Sequence, residues 1–184
     1  MMTVGITVTS LSRGNREAAC RVFELAIPDA FAREGLGHLK EDIRGEIGHK
    51  QKLLDAALAS ADADVKFLIA KVGREVVGTI SFGPCGEEIR QCTTANELND
   101  VGELGSLYVL PSYQDRGVGS ALIREMLTLL AGQGVGRFCL DSGYRRAQQK
   151  WLRKFGQPYK VAKDYWGPGQ DHMIWLCDVR DFVK

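Results

Sequence analysis

The 184-residue sequence predicts a mixed α/β (α+β) fold: a mostly antiparallel sheet of about seven strands, one parallel βαβ crossover, and about four flanking helices. Three observations carry that prediction. Two β-rich runs between residues 65 and 82 flank a short glycine-containing turn, which is a hairpin pattern. Between residues 104 and 141 a strand, an amphipathic helix and another strand follow with short joints, and such a connection makes the two strands parallel. Two further short β-rich runs close the chain between residues 159 and 178.

Each element has its own signal. Thr3 to Thr9 alternates β-branched and small residues and reads as an opening strand. Ala18, Val22, Phe23 and Ala26 recur at helical spacing from about Asn15 to Leu25, and Pro28 marks the expected stop. A second helix, from about His38 to Leu58, carries Leu39, Ile43, Ile47, Leu53, Leu54 and Leu58, with Gly45 and Gly48 softening its middle. Val65–Ala70 and Val76–Phe82, joined through Gly73-Arg74-Glu75, are the hairpin strands. Residues 83–102 show no periodicity, and a connection of that length is either functional or mobile surface. The crossover is a strand from Leu104 to Leu110, a helix with Val118, Leu122, Met126 and Leu129 or Leu130 on one face, and a strand from Arg137 to Asp141. A last helix, Tyr144 to Phe155, has Gly156 as its C-cap and is followed by strands Tyr159–Trp166 and His172–Asp178. With no repeat or linker, residues 1–184 read as a single domain.

Lys+Arg 24 against Asp+Glu 23 leaves a formal charge of +1, so no global field draws in nucleic acid or an anionic membrane. The N-terminus lacks a basic leader with an apolar run, and no stretch approaches the roughly 18 apolar residues of a membrane span, so a cytoplasmic protein is expected. Cys20, Cys85, Cys92, Cys139 and Cys177 are odd in number and scattered without metal-ligand spacing; they read as reduced thiols, with Cys139 and Cys177 in apolar strands.

The chemically informative segment is Gln114-Asp115-Arg116-Gly117-Val118-Gly119, between a strand and an amphipathic helix. Gly117 and Gly119 let the backbone approach a ligand, and the first helical turn offers N–H groups without partners at the positive end of the helix dipole. Such a turn suits a phosphate, with Arg116 able to add a charge-assisted bond. It has neither a P-loop's Gly-Lys-Ser/Thr ending nor the spacing of a dinucleotide fold.

This segment resembles the acyl-CoA signature of the GNAT acetyltransferases, Gln/Arg-x-x-Gly-x-Gly/Ala. Glu103–Pro111 is similar to that family's fourth strand, Glu75–Ile80 to its third, and the order of elements to its topology. The resemblance implies an N-acetyltransferase that uses acetyl-CoA and no metal. It implies that Gln114 opens the loop, that Asp115, Arg116, Gly117, Val118, Gly119 and Ser120 surround the pyrophosphate, and that main-chain groups of Leu107, Tyr108 and Val109 line the pantetheine arm. It also implies a bulge in that strand, for which Gly105 is suited, a splay from the next strand, and an N–H near Val109 aimed at the thioester oxygen.

For the base, Glu103 lies just before the strand where some members carry a glutamate; it reads equally as a surface carboxylate. Asp141, at the C-terminal end of the next parallel strand, is the second candidate, or a helix cap. The family's helix tyrosine, one turn after a motif alanine such as Ala147, is replaced by Trp151 here, and Tyr144 is either the substitute acid or a structural tyrosine. The acceptor is expected to be a small-molecule or peptide amine. Glu87, Glu88, Glu97 and Asp100, opposed by Arg90 alone, would suit a cationic one, or are a solvated loop. Tyr159, Tyr165, Trp166, His172 and Trp175 are either a pocket wall or core. A homodimer is left open, and the alternative function is a non-catalytic acyl-CoA sensor.

Overall fold

Seven strands form one sheet in the order β1-β2-β3-β4-β5-β7-β6 in the computed structural model, which describes residues 5–94 and 96–184. They are β1 (Ile6–Ser10), β2 (Lys66–Val72), β3 (Glu75–Pro84), β4 (Gly102–Val109), β5 (Arg137–Ser142), β6 (Lys160–Ala162) and β7 (His172–Asp178). Among the described residues only β4 and β5 pair in parallel, as the crossover requires. The helices are α1 (Arg16–Arg33), α2 (Lys40–Ala59), α3 (Glu87–Cys92), α4 (Val118–Gly132) and α5 (Arg145–Phe155). Thr3 and Val4 of the expected first strand lie outside the described residues.

Alternation along the strands distributes the helices over two faces. A Cβ at Gly78 would stand 3.0 Å from both Leu122 and Val118, so this position faces α4 at close quarters. Thr79, the next residue, pairs with Tyr108, whose ring meets Phe23 of α1 edge-on, so the opposite face carries α1. Glu103 shares that α1 face, since it pairs with Gly83 on one side and Cys139 on the other. There α3 covers the lower part of the sheet by packing the fully buried Ile89 with Val101, Cys139 and Ile174.

Three expectations are corrected. Pro28 does not end the first helix, which runs on to Arg33. An internal proline costs about 3 kcal/mol, whereas burying Ile27 and Phe31 returns about 1.5–3 kcal/mol each. Residues 83–102 are not structureless: β3 persists to Pro84 and α3 is a fifth helix, too short for periodicity to register. The strand expected at Tyr159–Trp166 shrinks to Lys160–Ala162, because Asp171 accepts from Asp164 N at 3.0 Å and pairs with Lys163, turning the chain away. Of the two readings open for Trp175 the core one holds: it is fully buried with its indole donating to Gly156 O. Gly45 and Gly48 lie within an unbroken α2, and Gly156 caps α5 with φ +81° as expected.

Candidate active site

The parallel pairing of β4 with β5 is confined to Gly102 opposite Phe138 and Glu103 opposite Cys139. Beyond that point β4 continues to Val109 and β5 to Ser142 without pairing, so a slot opens between them with Glu103 at its apex. A bulge helps to turn β4. Ser81 pairs with Gly105 and Thr79 with Tyr108, so two residues, Ser106 and Leu107, face Ile80 alone. The left-handed residue of the bulge is Ser106, with φ +49°, directly after Gly105, the residue suited to the bulge that the resemblance implies. Thr79 Oγ1 holds the bulge by donating to Ser106 O at 2.8 Å, which stabilises a backbone shape that L-residues seldom take.

The bulge leaves Val109 aimed at the slot. Leu110 N donates to Val77 O, so by alternation in an antiparallel ladder the N–H and C=O of Val109 point away from β3. The Val109 carbonyl accepts from Gln114 Nε2 at 3.2 Å, which ties the following turn to the end of β4. In that turn Asp115 (φ +57°) and Gly117 (φ +85°) are left-handed, and Gly117 is the N-cap of α4. The first helical bond is Ala121 N to Gly117 O, so the amides of Val118, Gly119 and Ser120 have no intrahelical partner. Arg116 is exposed with its guanidinium 5.7 Å from the Tyr113 ring centre, and Lys150 lies 3.7 Å from the Asp115 carboxylate, so cationic groups border the exposed amides. Leu107, Tyr108, Val109 and the 114–120 turn are thus brought to one mouth of the slot.

Glu103 is at the other end. Its Oε2 accepts from Gly86 N at 2.6 Å, at the start of α3, and a Cβ at Gly86 would crowd that oxygen at 3.1 Å. Burial, then the Asp141 charge, push the Glu103 carboxyl up to about 8, against the Gly86 bond and Lys50, which act downward. Asp141 stands two residues beyond Cys139 on the same face of β5, and its Oδ2 lies 2.8 Å from His172 Nε2. An indole N–H can only donate, so the 3.1 Å contact from Trp166 Nε1 makes His172 Nδ1 the acceptor; the imidazole proton is therefore on Nε2 and is donated to Asp141. Gly143 permits this chain, since a Cβ there would lie 2.5 Å from the Trp166 nitrogen. The sequence offered no sign of a Trp166–His172–Asp141 relay; a glycine beside the carboxylate was its only local trace.

Two tyrosines flank the slot, Tyr108 on β4 and Tyr144 just after β5. Tyr108 donates from its hydroxyl to Glu46 Oε1 of α2 at 3.2 Å, and Glu46 also pairs with Lys50. Tyr144, just after β5, packs its ring on Phe31. Burial, then Glu46 and Glu34, hold the Tyr144 phenol well above its ordinary value, so it remains a proton donor. Trp151 stacks instead with Phe155 along α5. Of the acidic loop, Glu97 is committed elsewhere: it accepts from Lys160, Tyr159 and Thr94, fastening the loop to β6. Tyr165 and Trp166 remain beside His172, next to Asp141.

Residues 21–156 match the model of the Acetyltransferase (GNAT) family. A GNAT-family protein from Desulfovibrio desulfuricans has the same fold with a TM-score of 0.69 at 20% identity, covering 95% of this chain and 99% of the other. The PaiA N-acetyltransferase of Thermoplasma acidophilum, solved with coenzyme A, gives 0.66 at 18% identity, covering 95% and 99%. An aminoglycoside 6'-N-acetyltransferase complexed with coenzyme A gives 0.65 at 13% identity, covering 94% and 97%. No curated protein matches the sequence. Among the described residues no helix is long and apolar enough to cross a membrane, and no group of three or more His, Cys, Asp or Glu side chains could hold a metal ion.

Proposed function

The chain belongs to the acetyltransferase (GNAT) family, and from that premise we propose that it is a single-domain cytoplasmic enzyme that uses acetyl-CoA to acetylate a primary amine of a small molecule or peptide by direct attack on the thioester. The observation that carries this reading is the placing of Glu103, a carboxyl held near neutrality, at the apex of a slot whose far mouth is a row of unpartnered helix amides. Those amides, from Val118 to Ser120, and the Arg116 guanidinium suit a pyrophosphate, and the free edge of β4 suits the amides of a pantetheine arm. Acetyl-CoA, when bound, supplies an activated acyl group on a good leaving group.

The remaining chemistry belongs to the chain. An alkyl ammonium with a pKa of about 10.4 must lose a proton before its nitrogen can attack, and Glu103 is matched to accept it because its own value lies near the working pH. Asp141, held by His172, keeps a second carboxylate on the same face and suits an acceptor that arrives as a cation. The Val109 N–H, turned away from β3, would be the main-chain donor for charge growing on the carbonyl oxygen. Tyr144 supplies a proton to the departing thiolate, a modest contribution because a thiol pKa of about 8.5 already makes it a tolerable leaving group. A sensor that only binds acyl-CoA would have no use for a buried carboxyl raised this far, so the enzymatic reading is favoured.

Release of the CoA thiol from acetyl-CoA, measured against a panel of polyamines, amino sugars, lysine and peptide N-termini, tests the proposal. Release should depend on added amine and saturate with it; acetyl-CoA binding with no amine-dependent release across the panel would leave the sensor reading instead. A second measurement addresses Asp141. Its like charge is one cause of the raised Glu103 value, so Asp141→Asn should move the acid limb of the kcat/KM profile to lower pH. A limb that stays in place would mean that Asp141 does not act on Glu103.

A further inference from the structure

Two thiols meet beside the candidate base. Cys85, just past the end of β3, and Cys139, opposite Glu103 in β5, have Sγ atoms 3.2 Å apart. Both reach over the start of β4, with Cys85 Sγ 3.3 Å from Val101 O and Cys139 Sγ 3.4 Å from Gly102 O. Cys139 is fully buried. Cys85 is only partly buried and lines a cleft of about 830 Å³ together with Pro84, Ile89, Arg90 and Gly102. A small reagent therefore reaches Cys85 first.

The pair is also chemically unequal. The bond from the Cys139 thiol, the largest influence, lowers Cys85 below the ordinary thiol range, with Arg90 adding a smaller pull against burial and Asp141. That same bond, then burial, holds Cys139 well above the range. Cys85 is the sulfur that ionises and attacks, and Cys139 is the one positioned to resolve it.

We propose that Cys85 and Cys139 form a hydroperoxide-sensitive dithiol whose oxidation to a disulfide unseats Glu103. The Cys85 thiolate attacks one peroxide oxygen, the O–O bond breaks, and the other oxygen leaves as water or an alcohol after taking a proton; Cys85 becomes a sulfenic acid. The Cys139 sulfur then attacks that sulfur, the S–O bond breaks, and hydroxide leaves as water with the Cys139 proton. Two thiols are oxidised and one peroxide is reduced. Closure draws the sulfurs from 3.2 Å to about 2.05 Å. Cys85 is bonded to Gly86, whose N–H donates to Glu103 Oε2 at 2.6 Å and whose Cα is packed closely enough that a Cβ would stand 3.1 Å from that oxygen, so movement of Cys85 is passed to the carboxylate. The effect on turnover rests on Glu103 being the base; formation of the bond does not.

Trypsin separates the two thiols into single-cysteine peptides, residues 75–90 and 138–145. After the reduced, full-length protein is treated with a modest excess of hydrogen peroxide, these peptides should appear joined, with a loss of about two mass units that dithiothreitol reverses. Cys139→Ala should leave a sulfenic acid on Cys85 that dimedone traps, and Cys85→Ser should give neither product. The proposal is overturned if the two peptides remain free under peroxide, or if the oxidised linkage involves Cys20, Cys92 or Cys177 instead. Amine acetylation followed on the same samples should fall severalfold on oxidation and recover on reduction. Linked peptides with unchanged acetylation would overturn the coupling to Glu103, whereas no acetylation even in the reduced protein would count against the transferase reading and leave the dithiol standing on its mass.

Discussion

Gly119→Asp should leave the chain folded and at least as stable as the parent while removing acetyl-CoA binding. Gly119 is the second residue of α4, its φ is not in the left-handed region, and a Cβ built on it meets nothing within 4 Å. Replacing glycine by aspartate inside a helix gains only about 0.1–0.3 kcal/mol in propensity, but an acidic side chain in a first turn gains about 0.3–1 kcal/mol from the helix dipole. In a chain of this size each kcal/mol is about 2–4 °C in Tm, so thermal unfolding should be unchanged or rise by a few degrees. The ligand meets the opposite situation. The carboxylate would occupy the space and the charge preference that the amides of Val118 to Ser120 reserve for phosphate, and the affinity should fall by about a hundredfold or more, close to 3 kcal/mol. Gly117 cannot give so clean a separation. At φ +85° any L-residue there is strained by about 1–2 kcal/mol, so lost binding in Gly117→Asp would be mixed with lost stability. Calorimetric titration of folded Gly119→Asp with wild-type affinity would remove the phosphate role from this turn.

The parts of this site that were legible in the sequence are those written in local order. A glycine turn between a strand and an amphipathic helix is a short-range pattern, and Gln114 to Ser120 could be placed from it; the parallel crossover follows from the spacing of strand, helix and strand. Glu103 was legible as a position through resemblance, but its burial is not local: it depends on Gly86, seventeen residues earlier in the chain, closing over it. The bulge was implied by resemblance alone, and its left-handed residue, Ser106, has no local signal because it is held in that conformation by Thr79 from the neighbouring strand. The same reason hid the Trp166–His172–Asp141 chain and the Cys85–Cys139 contact, which join residues 31 and 54 positions apart. Pro28 failed as a stop for the opposite reason, since a strong local rule yielded to burial of Ile27 and Phe31 against the sheet.

Glu103→Gln should reduce kcat/KM for amine acetylation by about 10²–10⁴-fold, the usual range for a lost general base, with acetyl-CoA affinity nearly unchanged because the amide turn of α4 lies at the other mouth of the slot. The same substitution should raise stability in alkaline solution. The carboxyl titrates at 4.5 in its ordinary setting and at about 8 in the folded chain. Between those values the folded state binds more protons than the unfolded state, so the parent loses stability as pH rises from about 4.5 through about 8. Glutamine has the same shape, its side-chain oxygen can still accept from Gly86 N, and it does not ionise. A Tm gap of several degrees in favour of the variant should therefore be absent near pH 4.5, widen as pH rises, and be fully open above about pH 8. A merely structural glutamate would lose stability when replaced and leave turnover in proportion to the folded fraction. A catalytic one gives the reverse, a more stable and nearly inactive protein, because the work of keeping a carboxyl ionisable inside the sheet is borne only for the proton it must accept. Full turnover in Glu103→Gln, or a Tm difference that ignores pH, would show that the proton goes elsewhere.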